Sequence, residues 1–273
     1  MNYNFIHYYQ SEFPNQQYKL LNIIPGGLIQ LLERYDMIIA GGAITSIFSD
    51  SPIKDLDVYP RNAEYLESFK KEFVKLIKDT GDTGDGSKHK SVNAETFLYK
   101  KIIVQAISKM ADDVTVQKPE RSPEDILRKF DWTVCMGAFD FKNHDFVLYD
   151  KFLADLAMRR LIFNCNTNYP ICSLHRLTKY EKKGFHIQAG EIVKLSLCIA
   201  KLEMNSYADL KDQLMGIDTL IFEQLTTDLI DNHGSETPID YNKVMEEINH
   251  KLNRLWESEE VATQSHDYSD PFD

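Results

Sequence analysis

Apolar residues recur at helical spacing through residues 16–36, and the run breaks near Pro25-Gly26-Gly27, which predicts two short helices. The apolar run "MIIAGG" then reads as a short buried strand ending in a turn. "ITSIFSD" suits a short helix, and "DLDVYP" suits a strand stopped by Pro60. "NAEYLESFKKEFVKLIKDT" places apolar residues on one helical face and lysines on the other. The Gly- and Asp-rich stretch 81–93 predicts a flexible loop, and "AETFLYKKIIVQAIS" a hairpin or two strands. Residues 122–130 open a helix with Ser122 as N-cap, Pro123 in the first turn, and Glu124 and Asp125 favoured by the helix dipole. "TVCMGAFDFKNHDFVLYD" predicts a hairpin turning at Lys142-Asn143-His144. From about Ala154 to Trp256 nearly all of the chain reads as helix. The fold class expected is α+β: a head with a small mixed sheet flanked by helices, then an all-α segment.

Composition narrows the setting. With 273 residues and 43% hydrophobic content the chain can bury an ordinary core. A net charge of −11 argues against coating nucleic acid through phosphate contacts alone, while leaving room for a local basic patch. No run of 18 apolar residues is present, so no membrane span is expected, and the start "MNYNFIHYYQSEF" does not read as a secretory signal. Four cysteines without a C-x-x-C pair fit reduced thiols in the cytoplasm. Eight histidines without H-E-x-x-H or H-x-E spacing give no zinc pattern.

The chemistry concentrates in "IIAGGAITSIFSDSPIKDLDVYP", from Ile38 to Pro60. Asp55 and Asp57 sit at i and i+2, so in a strand both project from one face. Two adjacent carboxylates repel unless a cation lies between them, and hard oxygen ligands suit Mg2+, with Mn2+ as an alternative. Alone, such a pair is often just a solvated strand face. Thirteen residues before Asp55, however, lies Gly42, second of the pair Gly41-Gly42. A bare backbone turn into a helix lets phosphates approach closely, with Ser46 adding a hydroxyl. Lys54, just before the first aspartate, is placed to touch a phosphate.

The pattern "AGG…DLDV" resembles the signature of the DNA polymerase beta-type nucleotidyltransferase superfamily. Three later stretches, in order, resemble the head and neck of class II CCA-adding enzymes and bacterial poly(A) polymerases. "RKFDWTVCMGAFD" is similar to their nucleotide-binding segment, with Asp131 and Thr133 matching. There Lys129 and Phe130 stand where two arginines are expected, and Cys135 replaces an asparagine. "YDKFLADLAMRRLI" matches a second segment at Asp150, Phe152, Asp155, Leu156 and Arg159, and "LHRLTKYEKKGFHI" resembles the neck helix through Arg176, Lys179, Tyr180, Lys183, Gly184 and Phe185.

The resemblance implies NTP-dependent transfer of a nucleoside monophosphate to an acceptor hydroxyl with release of pyrophosphate, using two Mg2+ ions on Asp55 and Asp57. It places Gly41, Gly42, Ser46 and Lys54 on the phosphates, and Asp131, Asp155, Arg159, Arg176 and Lys179 around the nucleotide, with Asp155 and Arg159 reading the base. Many superfamily members carry a third carboxylate on a neighbouring strand; here Gln105, or Glu95, stands nearest that place, whereas the class II relatives manage with two. The acceptor implied is an RNA 3′ end, with tRNA as one form. Fewer helical residues follow the neck than in full CCA-adding enzymes, which argues against true CCA addition. The alternatives are nucleotidylation of a protein or small molecule, and a nucleotide-binding protein without catalysis. The domains expected are a catalytic head at 1–165, a helical neck and body at 166–257, and an acidic tail without fixed structure at 258–273.

Overall fold

The computed structural model describes residues 3–9, 11–81, 89–90, 94–108, 120–214 and 220–251. In chain order its elements are β1 (Phe5–Tyr8), α1 (Pro14–Ile23), α2 (Gly26–Arg34), β2 (Ile38–Ala40), α3 (Gly42–Phe48), β3 (Asp55–Tyr59) and α4 (Ala63–Asp79). There follow β4 (His89–Lys90), β5 (Ala94–Tyr99), β6 (Ile102–Ile107), α5 (Pro123–Leu127), β7 (Gly137–Asp140), β8 (Asp145–Tyr149), α6 (Phe152–Ala157) and β9 (Arg160–Leu161). The last are α7 (Pro170–Glu181), β10 (His186–Ile187), α8 (Ala189–Ala200), α9 (Tyr207–Leu214), α10 (Leu220–His233) and a helix at 241–251. Of the loop expected at 81–93, residues 82–88 and 91–93 lie outside the described residues, as does the tail expected at 258–273.

Eight strands form one mixed sheet in the order β1-β8-β7-β2-β3-β6-β5-β4. Every neighbouring pair is antiparallel except β3 and β6, which run parallel after the chain has crossed over through α4. Two faces follow from the register. On one, Leu56, Val58, Phe97, Tyr99, Val104 and Ala106 are buried, and α4 contributes Leu66, Phe69, Phe73 and Ile77, with Phe73 in ring contact with Phe97 and Tyr99. On the other, Ile38, Ala40, Ala138 and Val147 pack with Ile126 and Leu127 of α5. Cross-strand partners share a face, and Ile38 pairs with Tyr59. The α5-covered face therefore continues into Tyr59, Asp57 and Asp55.

Three differences from the sequence expectations have local causes. Edge strand β1 was not expected; its four residues carry no alternating pattern of their own, and its ladder to β8 makes it a strand. The helix expected at 122–130 has the capping box between Ser122 and Asp125 but ends at Leu127. Lys129 and Phe130 then bond back to Ile126 and Leu127 in i→i+3 fashion, and Asn164 Nδ2 donates to the carbonyls of Arg128 and Phe130. Within the stretch read as helical from Ala154, β9 and β10 form a short parallel pair.

The chain divides into two compact units, one of residues 1–168 and 180–195, the other of residues 169–179 and those from 196 onward. The second has its own core of Cys172, Tyr207, Leu210, Leu214, Leu225, Leu229 and Val244. Among the described residues no helix is long and apolar enough to cross a membrane.

Candidate active site

The turn after β2 is built on Gly41, whose φ of +80° and ψ of −130° are open only to glycine. Its N–H donates to the Gly137 carbonyl at 3.0 Å, tying the turn to β7, and its own carbonyl accepts from Thr45 N at 3.0 Å as α3 begins. Thr45 Oγ1 donates to the Val134 carbonyl at 2.7 Å, fixing α3 against the 133–135 turn. Gly42 is different. It is exposed, and a Cβ built there meets nothing within 4 Å. The space beside Gly42 is thus open to a ligand, and Gly41 makes the turn that exposes it.

Asp55 and Asp57 alternate with buried Leu56 and Val58 along β3, so both carboxylates are half-exposed on the same face. Lys54 is exposed beside them, and Ser46 is buried on α3. Gln105 stands directly opposite Asp57 across the parallel β3–β6 ladder, and Ile103, 39% exposed, stands opposite Asp55. Glu95 pairs with Ala106 and so falls on the α4 face, where its carboxylate lies 3.5 Å from Lys70 Nζ. Of the two candidates for a third acidic position, only Gln105 shares the face of the aspartates.

Phe130 walls this face. Its ring lies 5.9 Å from that of Tyr59, and a Cβ on Gly41 would come within 3.4 Å of it. The motif pattern expects an arginine here; the phenylalanine makes the boundary between the α5-covered half of the face and the open half apolar. Asp131 is buried just beyond. Cys135, in place of the asparagine, is buried with its Sγ 2.5 Å from the Tyr180 hydroxyl. Trp132 is core, fully buried between Phe163 and Tyr180.

Asp155 and Arg159 do not pair. Helix α6 ends at Ala157, and Arg159 follows with φ +51°, outside the helical spacing that would align the two. Asp155 is 1% exposed and accepts from Thr133 Oγ1 at 2.6 Å and from Arg160 Nε at 2.5 Å. The Arg159 guanidinium rests over the Phe185 ring at 5.3 Å and donates to the Lys183 carbonyl. Thr133 and Arg160 are therefore the partners that sequence spacing did not single out. Arg176 and Lys179 lie on α7 in the second unit.

Among the described residues, no three His, Cys, Asp or Glu side chains are grouped to hold a metal ion. The oxygen-only pair Asp55 and Asp57 fits a hard divalent ion that takes its remaining ligands from water and substrate phosphates.

Among solved structures, the chain is similar to a CCA-adding enzyme in apo form I (TM-score 0.51, 13% identity, 83% of this chain and 54% of that one). It is also similar to a CCA-adding enzyme in complex with CTP (TM-score 0.51, 15% identity, 83% and 55%). These likenesses show a nucleotidyltransferase-like fold. By sequence it is 36% identical over 212 residues to "Gabija anti-defense 2" of Bacillus phage SPbetaL7, covering 77% of this chain and 49% of that protein. The chain thus spans about half the length of this relative and of those structures. The model of the Gabija anti-defense 2 family proteins matches residues 4–159, a stretch that holds the glycine turn, both β3 aspartates and Asp155, and the chain belongs to that family.

Proposed function

We propose that this protein is a metal-dependent nucleotidyltransferase that moves a nucleoside monophosphate from an NTP to an acceptor hydroxyl. The observation that carries this reading is the juxtaposition of two same-face aspartates on β3 with a glycine turn whose Gly42 side faces open space. Asp55 and Asp57 would hold Mg2+, which when bound neutralises phosphate charge and favours the ionised acceptor hydroxyl. The chain's own task is positioning. Gly41 and Gly42 admit the triphosphate, Ser46 and Lys54 are the candidates for further phosphate contacts, and Asp131 is a candidate contact to the nucleotide. Arg159 is the candidate for reading the base; Asp155, buried and held by Thr133 and Arg160, is left to fix the segment that carries it. Arg176 and Lys179 are the candidates for the rest of the nucleotide.

The acceptor we favour is an RNA 3′ hydroxyl, as the resemblance to class II heads implies. A second reading is supported by the family name: an acceptor hydroxyl on a component of the Gabija defence. Incubation with each labelled NTP, Mg2+ and either RNA or purified Gabija components separates the two by where the label appears. Nucleotide binding with no transfer to any of them would leave an inactive nucleotide-binding protein and overturn the enzymatic reading.

A further inference from the structure

The end of α5 carries a second charged feature. Arg128, Lys129, Asp125 and Asn166 line a cavity of about 360 Å3. Asp125 is engaged in the helix cap, its Oδ2 accepting from Ser122 N and Ser122 Oγ at 2.8 and 2.9 Å. The Arg128 guanidinium is held over the Phe5 ring at 5.0 Å, a contact that fixes the group without neutralising it. Among the described residues neither Arg128 nor Lys129 forms an ion pair with a carboxylate. In a chain with 42 acidic and 31 basic residues, two adjacent cations that share a concave surface with a single carboxylate, itself taken up by the helix cap, favour an anion there.

The backbone beneath the pocket is rigidly tied to the candidate site. Asn164 Nδ2 donates to the carbonyls of both Arg128 and Phe130, and Phe130 in turn packs against the Gly41 turn. Yet the Arg128 guanidinium turns away from the glycine turn, toward β1. Arg128 lies over Phe5 of β1, and the sheet order places β1 four strand spacings from β3. At about 4.8 Å per spacing the two strands run about 19 Å apart, and the Arg128 guanidinium stands on the β1 side of that span. A stacked nucleic acid strand advances about 3.4 Å per nucleotide, so about five or six nucleotides span this distance.

We propose that the Arg128–Lys129 pocket binds a backbone phosphate of a single-stranded RNA acceptor, several nucleotides upstream of the 3′ hydroxyl presented to Asp55 and Asp57. The inference rests on the nucleotidyl-transfer reading for the direction of the strand, but its test does not require catalysis. Fluorescence anisotropy with labelled oligoadenylates of 3 and 10 nucleotides, without NTP or metal, measures the length dependence. The 10-mer is expected to bind at least tenfold more tightly than the 3-mer. The Arg128→Gln/Lys129→Gln variant should lose most of that difference, and its plot of log affinity against log salt should be shallower by about 0.7 for the one phosphate released. Arg128→Lys keeps the charge and should retain most of the binding, which guards against a folding defect. Arg128→Gln should also keep the stabilisation by Mg2+ and NTP. Equal affinities for the two lengths, an unchanged 10-mer affinity in the double variant, or loss of NTP stabilisation in Arg128→Gln would each overturn the proposal. Length-dependent binding in a protein that transfers no nucleotide would leave the pocket standing and remove the enzymatic reading alone.

Discussion

Asp57 and Gln105 face each other across the parallel β3–β6 ladder, on the side of the sheet that carries both aspartates. An amide there adds no negative charge, so Asp55 and Asp57 would be the only carboxylates that β3 and β6 bring to this face. Asp55→Asn and Asp57→Asn are each expected to lower transfer by roughly 1000-fold, about 4 kcal/mol of transition-state stabilisation. Removing one of two repelling carboxylates should leave the thermal midpoint unchanged or raise it. Glu95→Gln should keep near-wild-type rates, because Glu95 faces Lys70 on the opposite side. Full activity in both aspartate variants would exclude the pair as the metal site.

The two glycines of the turn separate folding from binding. Gly42→Val places its side chain in open space and should fold normally. It should lose the stabilisation that Mg2+ and NTP give the wild type, about 2.7 kcal/mol at 100 times Kd. Gly41→Ala should instead destabilise the protein without ligand by about 1–3 kcal/mol, because its φ of +80° strains any side chain. Differential scanning fluorimetry with and without Mg2+ and NTP measures both, and an undiminished ligand shift in Gly42→Val would remove the phosphate role of the turn.

The adjacent arginines are expected to part in function. Arg160→Gln takes a charged partner from buried Asp155, which should lower stability by about 1–2 kcal/mol, the value for a buried pair discounted for the exposure of the arginine. Arg159→Ala should leave the midpoint nearly unchanged and blur the preference among NTPs by roughly 5- to 150-fold, as expected for a recognition hydrogen bond worth about 1–3 kcal/mol. The ratio of kcat/KM values for the four NTPs decides this, and an unaltered ranking in Arg159→Ala would move base reading elsewhere.

Arg61 and Asp140 form a fully buried ion pair, Nη2 to Oδ1 at 2.5 Å, and Asp140 also accepts from Lys142 N and Asn143 Nδ2 at the β7–β8 turn. Arg61→Ala leaves that carboxylate buried without its counter-charge. The expected cost is about 3–5 kcal/mol, read as a lowered urea midpoint; a loss below about 1 kcal/mol would show that water reaches the pair.

His7 bridges Asp145 and Glu124 at 2.7 Å each, tying edge strand β1 to β8 and α5. Burial by itself lowers the imidazole pKa, but the hydrogen bonds and charges of the two carboxylates outweigh it and the net direction is up. Burial lifts both carboxyls as well. At Glu124 its hydrogen bonds, including that from His7, prevail and the pKa falls, whereas at Asp145 burial prevails and the pKa rises. A raised histidine pKa stabilises fully below the unfolded value of about 6.5 and loses that contribution as pH rises through the folded value. The difference in thermal midpoint between wild type and His7→Gln should therefore be larger at about pH 5.5 than at about pH 8.5. A difference that does not vary with pH would mean the bridge carries no net protonation.

Strand periodicity and local backbone chemistry were legible in the chain itself. The alternation of Asp55-Leu56-Asp57-Val58 places both carboxylates on one face whatever the strand pairs with, because successive side chains alternate by covalent geometry. The Ser122–Asp125 cap and the turn at Gly41 are likewise set within a few residues. Partnership across the sheet is not local. That Gln105 meets Asp57 while Glu95 turns to Lys70 depends on the register of β5, β6 and β3, which only long-range pairing defines. The end of α6 at Ala157 gives Asp155 to Arg160 and leaves Arg159 to Phe185, an outcome of packing around Thr133 and Phe185 that helical spacing alone cannot show. β1 is the clearest case: four residues with no readable pattern become an edge strand because β8, some 140 positions later in the chain, supplies their hydrogen bonds.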